Sequence, residues 1–275
     1  YGGVRLGASH AAAARRMSRG LLSLRAWRDP ILVAISLIAL WQVLHEIAGD
    51  SAVTAPAPTL AHLWEMIGQA RFLPHLRETG LAFLQALAIA CGGGVLIGVV
   101  LGGHKLTGEV AEPILVALYS VPKITLYPVI LLLFGPGMPA KVAFGALHGI
   151  IPVVLFTMNA VRNVNRTYLR AGRAMRLTPA QTGWYVLVPA TIPEIFSGLR
   201  IGFSLTLLGT MLGELFASQR GLGFLLMTAI DLHDVKTILS IAVLISVFAI
   251  ASNAALLAID RHLHRGAAPD APEKS

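Results

Sequence analysis

Apolar residues along this chain gather into six runs of roughly 20, the length a helix needs to cross a hydrocarbon core about 30 Å thick. The runs lie near 31–49, 81–103, 113–134, 140–161, 192–216 and 237–259. The third is interrupted by Pro122, Lys123 and Pro128, so a broken helix is expected there. Ahead of the second run, Ala55-Pro56-Ala57-Pro58-Thr59 predicts a turn and a helix start. Leu60, Leu63, Trp64 and Ile67 then share one helical face, which predicts a short interfacial helix. The pattern describes an all-α, polytopic transmembrane helix bundle of about six spans over residues 30–262. A basic cytoplasmic tail at 1–29 and a second tail at 263–275 are expected to flank it.

Composition agrees. Of 275 residues, 55% are apolar and 13% charged, whereas soluble domains carry about 25% charged residues. A soluble enzyme and a nucleic-acid-binding protein are both poor readings of that balance. The net charge of +8 instead fits basic loops retained on the cytoplasmic side of a membrane. With the N-terminus inside, fifteen of the 22 Lys and Arg residues fall on that side. Arg71, Arg77, Lys141, Arg220 and Lys236 fall on the other, so both termini are expected to be cytoplasmic. The single cysteine, Cys91, excludes an intramolecular disulfide and a Cys-based zinc site.

Glycines recur at a spacing of four: Gly94/Gly98/Gly102, Gly145/Gly149, Gly198/Gly202 and Gly209/Gly213. Lipid gives helices no hydrophobic drive to associate, so close contact depends on small side chains of this kind. Ordinary packing within the chain is the expected role.

The segment from Val161 to Pro189 is unlike the rest. If residues 162–176 form a helix, Arg162, Arg166, Arg170, Arg173 and Arg176 share one face, with Val164, Tyr168, Ala171 and Met175 opposite. Thr178-Pro179-Ala180-Gln181 then reads as the start of a second short helix, with Thr178 as N-cap and Gln181 completing a capping box. That second helix is expected to stop before Pro189. Taken alone, the arginine face serves either as a topology signal at the anionic inner leaflet or as a docking surface for a soluble partner.

The same segment resembles the EAA loop of inner-membrane permease subunits of ATP-binding-cassette importers. That loop runs Glu-Ala-Ala, three residues, Gly, nine residues, then two aliphatic positions one apart and Pro. Here Arg170-Ala171-Gly172, Arg176, Val186, Val188 and Pro189 keep the spacing. Arg170 stands where the family has its acid, and Arg176 where it has the loop glycine. Without that glycine the turn is expected to form differently. Ser120 to Pro128 with Leu133-Phe134-Gly135, Gly198-Leu199-Arg200, and Gly213-Glu214-Leu215-Phe216 through Gly221-Leu222-Gly223 look like signatures of the nitrate/sulfonate/taurine-type permeases.

The resemblance implies a type I ABC importer permease-like fold in a bacterial inner membrane. It further implies cytoplasmic ATPase subunits seated on the loop, a periplasmic substrate-binding protein, a second permease subunit that is often identical, and a small anion as substrate. The chain has no phosphate-binding loop, so ATP hydrolysis is expected on a partner, and no cofactor is expected. A self-sufficient secondary transporter or channel is the alternative, though neither inverted repeats nor paired intramembrane acids are visible.

Charges at membrane depth are costly and tend to mark function. Lys123, between two prolines, and Glu214, near the end of the fifth span, are the candidate pathway residues. Arg200 is placed to reach toward the cytoplasm, and His148 is expected to be a packed, hydrogen-bonded core residue.

Overall fold

The structure is a computed structural model that describes residues 31–267; the expected N-terminal tail and the last eight residues lie outside that range. Among the described residues there are helices and no strands. The described residues divide into two compact units, with the boundary between His62 and Leu63. In the first, helix α1 (Ile31–Ala48) is apolar and long enough to cross a membrane, with none of its apolar stretch buried. The Trp41 indole donates to the carbonyl of Thr54 at 3.0 Å, which folds the following segment back on the helix. Helix α2 (Pro56–Ile67) is the expected short helix.

In the second unit, α3 (Leu73–Gly102), α6 (Met138–Arg162) and α9 (Val188–Ala217) form the core, with α6 packed between the other two. α6 is the most enclosed span, with 67% of its apolar stretch buried against 22% for α3. Glycines set these contacts. A β-carbon on Gly94 would lie 2.7 Å from Val153, and one on Gly102 would lie 2.6 Å from the Met158 carbonyl. One on Gly149 would run into the Thr206 hydroxyl, and one on Gly209 would lie 2.8 Å from the His148 ring. The four-residue glycine spacing therefore packs helices within the chain, as expected.

The third span is broken as the prolines predict. α4 (Lys105–Ser120), a 3-10 turn (Lys123–Leu126) and α5 (Tyr127–Phe134) meet at a bend of 85°. The last span, α11 (Val235–Ala267), has 6% of its apolar stretch buried and continues eight residues past the expected end at 259. Among the described residues, five helices are long and apolar enough to cross a membrane, or six counting the bent pair as one. A short helix, α10 (Leu222–Asp231), lies between the fifth and sixth runs, where the apolar pattern gave no element.

Between α6 and α9 lie α7 (Arg166–Ala174), α8 (Pro179–Thr182) and a π-helical turn (Gly183–Leu187). Two expectations are corrected here. Arg162 ends α6 rather than joining α7, because Asn163 to Asn165 break the helix and Asn165 caps α7 through the Thr167 N–H at 2.9 Å. Pro189 does not stop the second helix either. It sits in the first turn of α9, directly behind the π-helical turn, and the chain stays helical from Ala180 to Phe216.

Candidate functional site

The α7–α8 corner has the capping geometry that its sequence dictates. The Thr178 N–H donates to Gln181 Oε1 at 2.9 Å, and the Gln181 N–H donates to Thr178 Oγ1 at 3.3 Å, a reciprocal box. The turn before it forms as it would with glycine, contrary to expectation. Arg176 takes φ +52°, a left-handed conformation, while the Leu177 N–H reaches back to the Gly172 carbonyl at 3.0 Å and closes the end of α7. Gly172 is buried, and a β-carbon on it would lie 3.3 Å from the Thr182 methyl, so its small size lets α8 close on α7.

This corner carries an apolar groove of about 520 Å³. Ala171, Gly172, Val186 and Pro189 line it together with Tyr168 and Tyr185. Four of the seven residues singled out in the loop thus converge on one surface. The other three, Arg170, Arg176 and Val188, are exposed. Trp184 and Tyr185 also project into solvent from the π-helical turn, 70% and 69% exposed. No role was assigned to them from sequence; a pair of aromatics beside a basic helix is the signal that could have marked them. Arg162 is tied inward instead, donating to Glu112 Oε2 on α4 at 2.6 Å and to Asn159 Oδ1 at 3.1 Å.

At the bend of the broken span, the Lys123 ammonium donates to the Tyr119 carbonyl at 3.0 Å and lies 4.8 Å from that residue's ring centroid. The bend is fixed from below by Tyr127, which is buried, donates to the Gly213 carbonyl at 2.7 Å, and meets the Phe144 ring edge-on at 4.9 Å. Arg200 pairs with Asp260 of α11 at 3.6 Å rather than standing alone. His148 is the packed histidine expected, its Nδ1–H donating to the Phe144 carbonyl at 2.9 Å.

Glu214 has no exposed surface. It sits near the end of α9 farthest from α7 and accepts from Thr79 Oγ1 at 2.7 Å and from the Gly223 N–H at 3.0 Å. A Lys141 ammonium stands 3.5 Å away. Glu214 thus caps the Gly223 amide in the first turn of α10, while Thr79 Oγ1 takes the Leu222 amide. Gly221 and Gly223 are required by this wrap, because a β-carbon on either would run into the Glu214 side chain. Lys141, counted from sequence among the outer-side basic residues, is 1% exposed in the first turn of α6, and its other acceptors are Glu78 Oε1 at 3.1 Å, Ser218 Oγ at 3.1 Å and the Arg220 carbonyl at 3.0 Å. Glu78, His75 and Lys141 carry no motif, and only their juxtaposition in space marks them.

Comparisons with known proteins agree on one class. The family model described as "Binding-protein-dependent transport system inner membrane component" matches residues 94–268. The chain is 29% identical over 205 residues to the putative aliphatic sulfonates transport permease protein SsuC of Bacillus subtilis, covering 74% of each. It is 26% identical over 252 residues to the taurine transport system permease protein TauC of Escherichia coli, covering 86% of this chain and 92% of that one. To the nitrate import permease protein NrtB of Leptolyngbya laminosa it is 28% identical over 202 residues, 70% and 72% of the two chains. Among solved structures, the MetNI methionine ABC transporter in inward-facing conformations gives a TM-score of 0.54 at 19% identity, over 74% of this chain and 95% of that one. An amino acid ABC transporter with histidines gives 0.55 at 18%, over 78% and 99%. The likeness to these two is one of fold.

Proposed function

The chain belongs to the family of binding-protein-dependent transport system inner membrane components. It is a multi-pass permease of an ABC importer, and we propose that its α7–α8 corner is the seat of a separate ATPase. The observation that carries this reading is the groove: Ala171, Gly172, Val186 and Pro189 surround an apolar cleft on an exposed, firmly capped corner. Arg170 and Arg176 flank it with positive charge, suited to acidic residues on a partner. An ATPase bound there would transmit its closure through the π-helical turn into α9, since the chain is helical from Ala180 to Phe216.

In this reading the corner and both termini lie on the cytoplasmic side, and a periplasmic binding protein delivers solute at the opposite end. A second permease subunit, identical to the first, completes the pathway. The exposed Leu132, Leu133 and Phe134 of α5 offer it an apolar face. The substrate is a small anion of the nitrate, sulfonate or taurine kind, supported by the relatives' names and by the partly exposed Lys123 at the bend. Glu214, enclosed by its partners, holds the wall of that pathway in shape.

Affinity capture of the tagged permease in mild detergent tests the docking. An ATPase subunit is expected to accompany the wild type and to be lost from the Arg170→Glu/Arg176→Glu variant. Equal recovery with both would remove the corner from the interface.

A further inference from the structure

The end of the molecule farthest from α7 contains a three-charge arrangement that docking at the corner does not use. The turn from Ser218 to Gly221 closes on itself between Ser218 and Arg220 and is tied to two neighbouring helices. Lys141 of α6 donates to Ser218 Oγ and the Arg220 carbonyl; His75 Nδ1 of α3 accepts the Gly221 N–H at 3.2 Å; Thr79 Oγ1 of α3 accepts the Leu222 N–H at 2.8 Å. An ammonium has three hydrogens, yet Lys141 stands within reach of four acceptors. One contact is therefore surplus at any moment. Of the two carboxylates, Glu214 is fully enclosed and bound by Thr79 and Gly223, whereas the Glu78 side chain is 28% exposed. Glu78 also lines a polar cavity of about 320 Å³ together with Pro136, Gly137, Ser218, Gln219 and Arg220.

We infer that Lys141 is a positioning residue that clamps the Ser218–Gly221 turn, and that Glu78 is the releasable arm of the clamp. When α3 separates from α9, the ammonium gives up Glu78 and keeps Glu214, Ser218 and Arg220, while the α3 contacts from His75 to Gly221 and from Thr79 to Leu222 and Glu214 part as well. No buried charge is stranded by that exchange, which matters because an unpaired buried charge is costly. The turn can thus open toward the cavity without unfolding the end of α9. The movement that drives it rests on the transport reading above; the clamp itself rests on the contacts alone.

Leu222 is 5% exposed directly behind the turn, so a cysteine there reports whether the turn has lifted. In a Cys91→Ala/Leu222→Cys background in liposomes, Glu78→Gln is expected to raise the rate of reaction with a membrane-impermeant maleimide about tenfold, the scale of one lost charge-assisted hydrogen bond. The Lys141→Met/Glu214→Gln pair, which leaves no buried charge unpaired, is expected to do the same. Background-like labelling of the folded protein in either case overturns the clamp. With a partner ATPase and binding protein present, Glu78→Gln should also lower the solute imported per ATP, a change that a purely structural role would not produce. Failure to assemble with an ATPase would count against the transport reading, while the labelling would still decide the clamp.

Discussion

At the residue scale, Arg176 carries backbone strain at a turn that a glycine would take more easily. Its φ of +52° costs an L-residue about 1–2 kcal/mol. Arg176→Gly removes the strain at some entropic cost, so it is expected to raise stability by up to about 1 kcal/mol, read as a higher midpoint of thermal unfolding. The same change weakens ATPase capture if the arginine charge contributes to docking, so one substitution separates backbone from charge. Lys123 gives a second test. Lys123→Gln is expected to slow import of an anionic solute while the unfolding midpoint stays put, and Lys123→Arg to preserve import. Unchanged import by the Gln variant would make Lys123 a helix-end residue satisfied by Tyr119. The spacing of the loop was legible at this scale, but the conformation of Arg176 was not. A left-handed arginine follows from α7 having to end there, with Leu177 returning to Gly172.

Among the elements, those written in local chemistry were readable and those set by contacts between distant segments were not. The glycine spacing is legible as a local repeat although its contacts run between helices, while the proline-broken span and the Thr178–Gln181 box act within a few residues; all three are present in the structure. Thr178→Ala is expected to cost about 1 kcal/mol and to loosen α8, lowering recovery of the ATPase without abolishing it. Gly149→Ala is expected to cost about 1–3 kcal/mol, because α6 and α9 meet there with no room for a β-carbon. A midpoint equal to wild type would mean the helices can part at little cost. Three features escaped local reading. α10 owes its start to Thr79 and Glu214, which lie more than a hundred residues and eight residues before it. Lys141 lies in an apolar span because Glu78 and Glu214 are there to receive it. Pro189 continues a helix because the π-helical turn ahead of it absorbs the mismatch.

For the whole molecule, the two ends of the α3–α6–α9 core have different chemistry. One end carries an exposed corner with an apolar groove and a basic rim; the other carries a buried ion cluster that ties a turn across three helices. The helices between them are packed closely on glycines. Such a body suits a protein that receives force at one end and opens at the other. The most direct test is solute accumulation in proteoliposomes containing this permease, its ATPase subunit and its binding protein. Import of a small anion is expected only when all three and ATP are present, and it should collapse in the Arg170→Glu/Arg176→Glu variant. Equilibration of solute by the permease alone, indifferent to ATP and to that variant, would contradict the coupling of this membrane protein to a separate ATPase.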